Sequence, residues 1–126
     1  MSKVFKRPQV VRDLIDIATY IAENNLDRGD RFLYAAEETF KQLGKMPQIG
    51  KQCQFSSSRL RNIRQFPIKR FRNYLIFYQA TTSGVEILRV LHGSRDIEVV
   101  LEDDDKEILK IAHSFEKTRG AIAFNQ

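Results

Sequence analysis

The chain has 126 residues, enough for one domain with its own hydrophobic core and too few for two ordinary domains. With 42% hydrophobic and 29% charged residues, no secretory signal and no apolar run near the roughly 20 residues that span a bilayer, it is expected to be a globular cytoplasmic protein. The net charge of +5 is unevenly distributed: residues 39–85 contain nine basic residues and no acid, so this segment attracts phosphates or an acidic partner, and weak non-specific nucleic-acid binding follows from charge alone.

The first part of the chain predicts a strand followed by two helices. Residues 3–6 are expected to form a short strand. Apolar residues then recur at helical spacing over residues 11–22. A second helix is predicted to begin at Asp27 as its N-cap and to end near Gly44. Two amphipathic helices joined by a short connection predict an antiparallel helical hairpin.

After residue 58 the pattern becomes typical of strands. Residues 59–66 predict a strand that Pro67 ends, and residues 72–80 predict a second strand. Residues 72–80 are apolar on both faces, which indicates a central and largely buried strand. A third strand is predicted over residues 85–92, after a turn. Three consecutive strands with short connections predict an antiparallel meander.

The C-terminal part predicts helix. Ser94 is expected to cap a short helix through Leu101, and residues 103–105 either begin a further helix or extend that one. We therefore expect a domain over residues 1–101 and a partly helical C-terminal extension over residues 102–126. The predicted order is β-α-α-β-β-β-α, an α+β fold in which a small antiparallel sheet packs against an N-terminal helical hairpin.

Four stretches of the sequence are informative through their composition, their order and their spacing: MPQIG at 46–50, RLRNIRQF at 59–66, YLIFYQA at 74–80 and VEILRVLHGSRD at 85–96. Together they resemble the ParE/RelE superfamily of bacterial toxins from type II toxin–antitoxin systems, and the ending Val-Leu-His-Gly-x-Arg-Asp resembles its ParE branch, the plasmid-stabilisation proteins. The resemblance covers about residues 3–101. It implies the fold predicted above, no cofactor, and a hetero-oligomer with an antitoxin encoded beside the toxin, commonly a ribbon-helix-helix protein of the ParD type.

The resemblance implies one of two activities. The ParE branch inhibits DNA gyrase by binding it, without a catalytic reaction, and its toxic function lies in the C-terminal part of the domain. Arg89, His92 and Arg95 are then the expected target contacts. The RelE branch cleaves mRNA on the ribosome, for which Arg61, Arg64, Arg95 and His92 are the candidate catalytic residues. A third alternative is an inactive relative that serves only as a binding partner.

The chemistry of RNA cleavage favours the inhibitor. Cleavage without a metal needs a proton acceptor and a proton donor as well as cations that hold the phosphate. Cations are abundant here, but the position where RelE-type sequences carry a tyrosine falls near Leu101, and residues 94–101 contain no Tyr, His or Lys. A histidine at the end of a strand, as His92 is expected to be, more often has a structural role than a catalytic one. Tyr74 and Tyr78 are expected in the core. We therefore expect no enzymatic activity.

Antitoxin contacts are predicted on the helices and on the first basic strand. The candidate residues are Leu26, Phe32, Tyr34, Arg59, Arg61 and Arg64. Core packing is the alternative for Phe32, and an exposed position without a partner is the alternative for Tyr34. A metal site is not expected, because Cys53 is the sole cysteine and the chain has only two histidines.

Overall fold

The computed structural model describes the backbone of residues 3–124 and the side chains of residues 3–116. Residues 1, 2, 125 and 126, at the outer ends of the predicted domain and its extension, lie outside the described residues. None of the helices described is long and apolar enough to cross a membrane. In chain order the elements are β1 (Lys3–Lys6), α1 (Pro8–Ala22), α2 (Leu26–Lys45), β2 (Lys51–Gln52), β3 (Arg64–Ile68), β4 (Phe71–Ala80), β5 (Gly84–His92) and α3 (Ile97–Phe124).

The strands form one five-stranded sheet in the order β1-β5-β4-β3-β2. The predicted antiparallel meander is confirmed as β3, β4 and β5, and β4 is the central strand, with Ile76, Phe77 and Tyr78 fully buried. The edges differ from the prediction. β1 runs parallel to β5, with Lys3 opposite Gly84, and the two-residue β2 pairs with β3. The sheet is therefore mixed, because its first strand joins from a distant part of the chain.

The predicted helical hairpin is present, and its helix starts have local causes. α1 begins with Pro8, whose missing N–H would have no partner in the first turn of a helix in any case. The N-cap of α2 is Asn25 rather than Asp27, since the Asn25 side-chain oxygen accepts the backbone N–H of Arg28 at 3.1 Å. Asp27 instead lies in the first turn and pairs with Arg31 at 2.8 Å.

One hydrophobic core lies between the hairpin and the sheet. Phe32 of α2 is completely buried and meets Phe71 and Tyr74 edge to face, with ring centroids 5.3 and 5.4 Å apart. Burying a large apolar side chain in this way contributes about 1.5–3 kcal/mol to stability. The buried core residues are Val10, Leu14, Ala18, Phe32, Ala35, Ala36, Phe40, Leu43, Ile68, Phe71, Ile76, Tyr78, Val85, Ile87 and Val90.

The first strand of the meander is shorter than predicted and includes its proline. β3 begins at Arg64 instead of Arg59, because Asn62 has a positive φ of 60°, which interrupts extended backbone. Pro67 lies within β3 rather than ending it. A proline is tolerated on an edge strand, and β2 pairs only with Arg64 and Gln65, so β3 has no outer partner strand at Pro67 in the described chain.

The described chain divides into two compact units. The first comprises Met1–Gln54 and Asn62–Arg95 and contains the sheet and the hairpin; the second comprises Phe55–Arg61 and Asp96–Gln126. In the second unit, α3 is one helix of 28 residues, so the residues from 103 onwards extend the preceding helix instead of starting a new one. The absence of glycine and proline over 97–119 allows this continuity.

Candidate functional site

Arg89, the first of the three predicted target contacts, lies in the interior. Its Nε donates to Asp13 Oδ2 at 2.8 Å and its Nη2 to Asp13 Oδ1 at 2.9 Å, a two-point ion pair between β5 and α1. Asp13 also accepts the backbone N–H of Val90 at 3.0 Å. Only 11% of the Arg89 side chain and 6% of the Asp13 side chain are exposed. Arg89 therefore joins α1 to β5 and exposes little of its side chain to solvent.

His92, the second predicted contact, lies at the end of β5 and organises the turn that follows. Its Nδ1 accepts the backbone N–H of Ser94 at 3.0 Å and lies 2.8 Å from the Ser94 hydroxyl oxygen. Because Nδ1 is an acceptor, the neutral ring carries its proton on Nε2. The ring also meets Tyr74 edge to face, with centroids 5.1 Å apart. These contacts give His92 a structural role in the turn.

Arg95, the third predicted contact, is exposed at the end of the same turn. Its backbone N–H donates to the carbonyl of His92 at 3.0 Å, and the neighbouring Gly93 N–H donates to the carbonyl of Asn73 at 2.8 Å. The backbone of the corner is thus held by hydrogen bonds. The Arg95 side chain forms no ion pair with any side chain of residues 3–116 and extends into solvent. Of the three predicted contacts, Arg95 is the one that is exposed to solvent.

Arg64, a candidate for both nuclease and antitoxin contact, holds the loop between α2 and β2. Its Nη1 donates to the carbonyl of Gly50 at 2.7 Å, and its Nη2 donates to Gln48 Oε1 at 2.7 Å. The buried Tyr78 closes the same loop: its hydroxyl donates to the carbonyl of Pro47 at 2.9 Å and accepts the N–H of Gly50 at 2.8 Å. The pKa of Tyr78 is raised, chiefly by burial, while the Gly50 N–H and the Arg64 charge act in the opposite direction.

Arg59 and Arg61 lie in the second compact unit and are exposed. Their segment is tied to the first turn of α3, because both the backbone N–H and the hydroxyl of Ser56 donate to the carboxylate of Glu98. These two hydrogen bonds, the one from the Ser56 hydroxyl being the stronger cause, lower the pKa of Glu98. The two arginines therefore stand on a segment with a defined attachment.

Cys53 and the acidic residues offer no further chemistry of the kind that nucleophilic or metal sites need. Burial raises the pKa of the Cys53 thiol to about 11, against an opposing effect of Lys51, so the thiol stays protonated near neutral pH and is a weak nucleophile. Among the described residues, no group of three or more His, Cys, Asp or Glu side chains could hold a metal ion.

The apolar antitoxin candidates on α2 separate into two kinds. Leu26 is 79% exposed and Tyr34 is 75% exposed, so both present apolar surface to solvent. Phe32 is completely buried against Phe71 and Tyr74, as its core alternative anticipated. Of these three apolar candidates, Leu26 and Tyr34 are thus accessible to a partner protein, and Phe32 is not.

A cleft of about 320 Å³ lies at the turn between β3 and β4 and is lined by three arginines. This cleft was not predicted from the sequence. Arg70 and Arg72 come from this turn, and Arg28 comes from the first turn of α2, with its guanidinium carbon 5.0 Å from the centre of the Phe71 ring. Asn73 and Tyr74 complete the lining with Phe71. In the sequence, only the acid-free stretch of residues 39–85 indicated a positively charged surface here, and Arg28 lies outside that stretch.

The comparisons with known proteins assign the family. The family model described as ParE toxin of type II toxin-antitoxin system, parDE, matches residues 4–97, which is most of the chain. The chain belongs to the ParE toxin family. The family predicted from the sequence is thereby confirmed. A search of the curated proteins finds no match to this ParE chain.

A solved structure described as the chromosomal ParDE TA system from P. aeruginosa shares the ParE fold. Its chain superposes with a TM-score of 0.58 at 15% sequence identity, over 73% of this chain and 96% of that chain. At this identity the likeness confirms the fold, a helical hairpin on a sheet. The family match ends at Ile97, the first residue of α3, so it includes the corner with Arg95 and excludes nearly all of the last helix.

Proposed function

We propose that this ParE family member acts in the cytoplasm as a toxin that inhibits DNA gyrase by binding it, without catalysing a reaction. The observation that carries the proposal is the exposed Arg95 at a hydrogen-bonded corner inside the family match. A fixed backbone that presents a long cationic side chain suits recognition of an acidic protein surface, since only the side chain, and not the backbone, has to be ordered on binding.

Binding has more support than RNA cleavage, the alternative activity. Two of the four nuclease candidates form hydrogen bonds within the protein: Arg64 donates to the carbonyl of Gly50, and His92 Nδ1 accepts the N–H of Ser94. The other two, Arg61 and Arg95, are cations, which stabilise phosphate charge but cannot abstract a proton near neutral pH. Tyr78 is buried with its hydroxyl in two hydrogen bonds. Among these candidates and Tyr78, the arrangement thus supplies cations more readily than an acid–base pair.

Purified toxin without antitoxin is expected to abolish plasmid supercoiling by DNA gyrase or to trap cleaved DNA. Arg95→Ala should raise the concentration for half-inhibition about tenfold, the loss of roughly 1.4 kcal/mol of binding free energy. Arg12→Ala removes the same charge from an exposed position on α1 and serves as the control, with a change below about threefold. Gel assays of supercoiling over a titration of each protein measure both.

Other outcomes of this titration separate the remaining alternatives. Normal supercoiling at large molar excess would reject gyrase inhibition for the gyrase tested. Cleavage of mRNA on ribosomes would then support the nuclease, and its absence, with antitoxin binding retained, would support an inactive relative. Equal effects of Arg95→Ala and Arg12→Ala would remove Arg95 as a contact while leaving the inhibition itself in place.

We propose that the toxin domain covers residues 1–101 and that residues 102–126 form an extension. The family match that ends at Ile97 supports this division. Because α3 runs through the boundary as one helix, the extension joins the domain through helical backbone instead of a loose linker.

The antitoxin, of ribbon-helix-helix type, is proposed to bury Leu26 and Tyr34 on α2. Exposed apolar side chains on one helix are suitable anchors for a partner segment, since burial of each removes apolar surface from water. Arg59 and Arg61, which lie between β2 and β3, are proposed to contact acidic side chains of the antitoxin. Arg64 and Phe32 are not included, because one holds the loop and the other lies in the core.

The double variant Leu26→Ala/Tyr34→Ala is expected to weaken the antitoxin complex about 100-fold, since two central apolar anchors each contribute above about 1 kcal/mol. Phe115→Ala, which removes a similarly exposed aromatic from α3, should change affinity by less than about threefold. Titration calorimetry with the antitoxin encoded beside the toxin measures the dissociation constants. Equal affinities for the two variants would place the antitoxin elsewhere.

A further inference from the structure

The cleft at the β3–β4 turn presents positive charge without acidic neighbours. Arg28, Arg70 and Arg72 line it, and neither Asp nor Glu belongs to the lining. None of the three guanidinium groups forms an ion pair with a side chain of residues 3–116. Three cations that line one cleft repel one another, so an anion bound there is stabilised by each of them.

The cleft wall is suited to an anion that needs no apolar pocket. Phe71 is buried and the Arg28 guanidinium lies over its ring, so this cation covers one face of the aromatic side chain in the lining. Arg28 is also restrained by this contact, so less side-chain entropy is lost when an anion binds. Asn73 and Tyr74, the remaining lining residues, carry no charge that would oppose an anion near neutral pH.

We infer that the cleft lined by Arg28, Arg70 and Arg72 binds a phosphate group of a nucleic-acid backbone. Arginine forks match the non-bridging oxygens of a phosphodiester, and a volume of about 320 Å³ accommodates a phosphate with part of its sugar. An acidic peptide would offer similar charge, but its recognition usually also buries apolar anchors, and the Phe71 ring in the lining is already buried and covered by Arg28. The inference does not depend on gyrase as the target.

Fluorescence anisotropy of a short labelled single-stranded DNA with the purified full chain tests the site. The double variant Arg70→Asn/Arg72→Gln is expected to weaken binding about tenfold and to reduce the salt dependence by ~0.7 per lost phosphate contact. Asparagine is chosen at position 70 because the φ of Arg70 is 71°, a conformation that asparagine tolerates. Lys41→Gln/Lys45→Gln removes the same charge from exposed positions on α2, within the same acid-free segment, and should change affinity by less than about threefold.

Three other outcomes reject the inference. Equal losses in the two double variants would show that binding follows total charge. No binding of the DNA at low salt would remove nucleic acid as the ligand. Binding of polyglutamate that depends on Arg70 and Arg72, with DNA binding unchanged, would assign the cleft to an acidic peptide. Should the turn variant unfold at a lower temperature, Arg28→Gln, which leaves the turn intact, must show a weakening of about threefold or more for the inference to stand.

Discussion

Asp13→Ala is expected to lower the free energy of unfolding by about 3–5 kcal/mol, because it leaves the Arg89 guanidinium buried without its counter-charge. Three interactions with partners from β5 end on this one carboxylate: the two-point ion pair with Arg89 and the hydrogen bond from the Val90 N–H. Since 6% of the Asp13 side chain is exposed, water replaces these partners poorly. The loss is a large part of the stability of a domain of this size.

Urea unfolding followed by far-ultraviolet circular dichroism measures this loss. Asp16→Ala, on the exposed side of α1, removes the same charge and should change stability by less than about 0.5 kcal/mol. The double replacement Asp13→Leu/Arg89→Met should recover part of the stability, since it leaves no orphaned charge but still removes the acceptor of the Val90 N–H. Equal midpoints for Asp13→Ala and Asp16→Ala would show that water reaches the pair freely.

Because Arg89 belongs to this buried pair, a loss of activity in an Arg89 variant has to be distinguished from a loss of stability. An Arg89 variant is expected to lose the proposed gyrase inhibition only together with stability, because its guanidinium binds Asp13 in the interior. An Arg95 variant is expected to lose the proposed inhibition with its unfolding midpoint unchanged, since its side chain is exposed. A mutational scan of this corner must therefore compare activity with the midpoint of unfolding for each variant.

Much of the fold could be predicted because its signals are local. Helical spacing over residues 11–22, and the apolar runs and turns of the meander, each follow from a few adjacent residues. The parallel pairing of β1 with β5 could not be predicted, since nothing in residues 3–6 specifies a partner strand near residue 84. The start of β3 was missed because Asn62 changes backbone direction within a stretch whose composition suits a strand.

The candidate site was less predictable, because its residues acquire roles from distant partners. An arginine inside the apolar run of β5 indicates a buried partner, but the sequence does not show that Asp13, 76 residues away, supplies it. The sequence predicts Arg64 as a contact for RNA or for the antitoxin, although its guanidinium donates to the carbonyl of Gly50. The arginine cleft joins residues from α2 and the β3–β4 turn, whose proximity only the folded chain creates.

Gly50→Ala is expected to destabilise the protein by about 2–3 kcal/mol, because the loop between α2 and β2 leaves no room for a methyl group at this position. The added Cβ would press on the Tyr78 hydroxyl and would lie 2.7 Å from Tyr78 Cε1 and 2.9 Å from the carbonyl oxygen of Gln65. Gly50 is buried, and its own N–H and carbonyl are engaged by Tyr78 and Arg64. The backbone cannot move aside without breaking both contacts.

A double-mutant cycle with Tyr78→Phe tests whether this crowding is the cause. Tyr78→Phe alone should cost about 1–2 kcal/mol through the lost hydrogen bonds, and Gly50→Ala should then cost about 1 kcal/mol less than in the parent chain. Gly93→Ala is the control, since its Cβ would meet no atom closer than 3.6 Å, and it should change stability by under about 0.5 kcal/mol. If Gly50→Ala were as mild as Gly93→Ala, the loop would be free to rearrange. Arg64 would then be released from its structural role and would return as a candidate for contact with RNA or with the antitoxin.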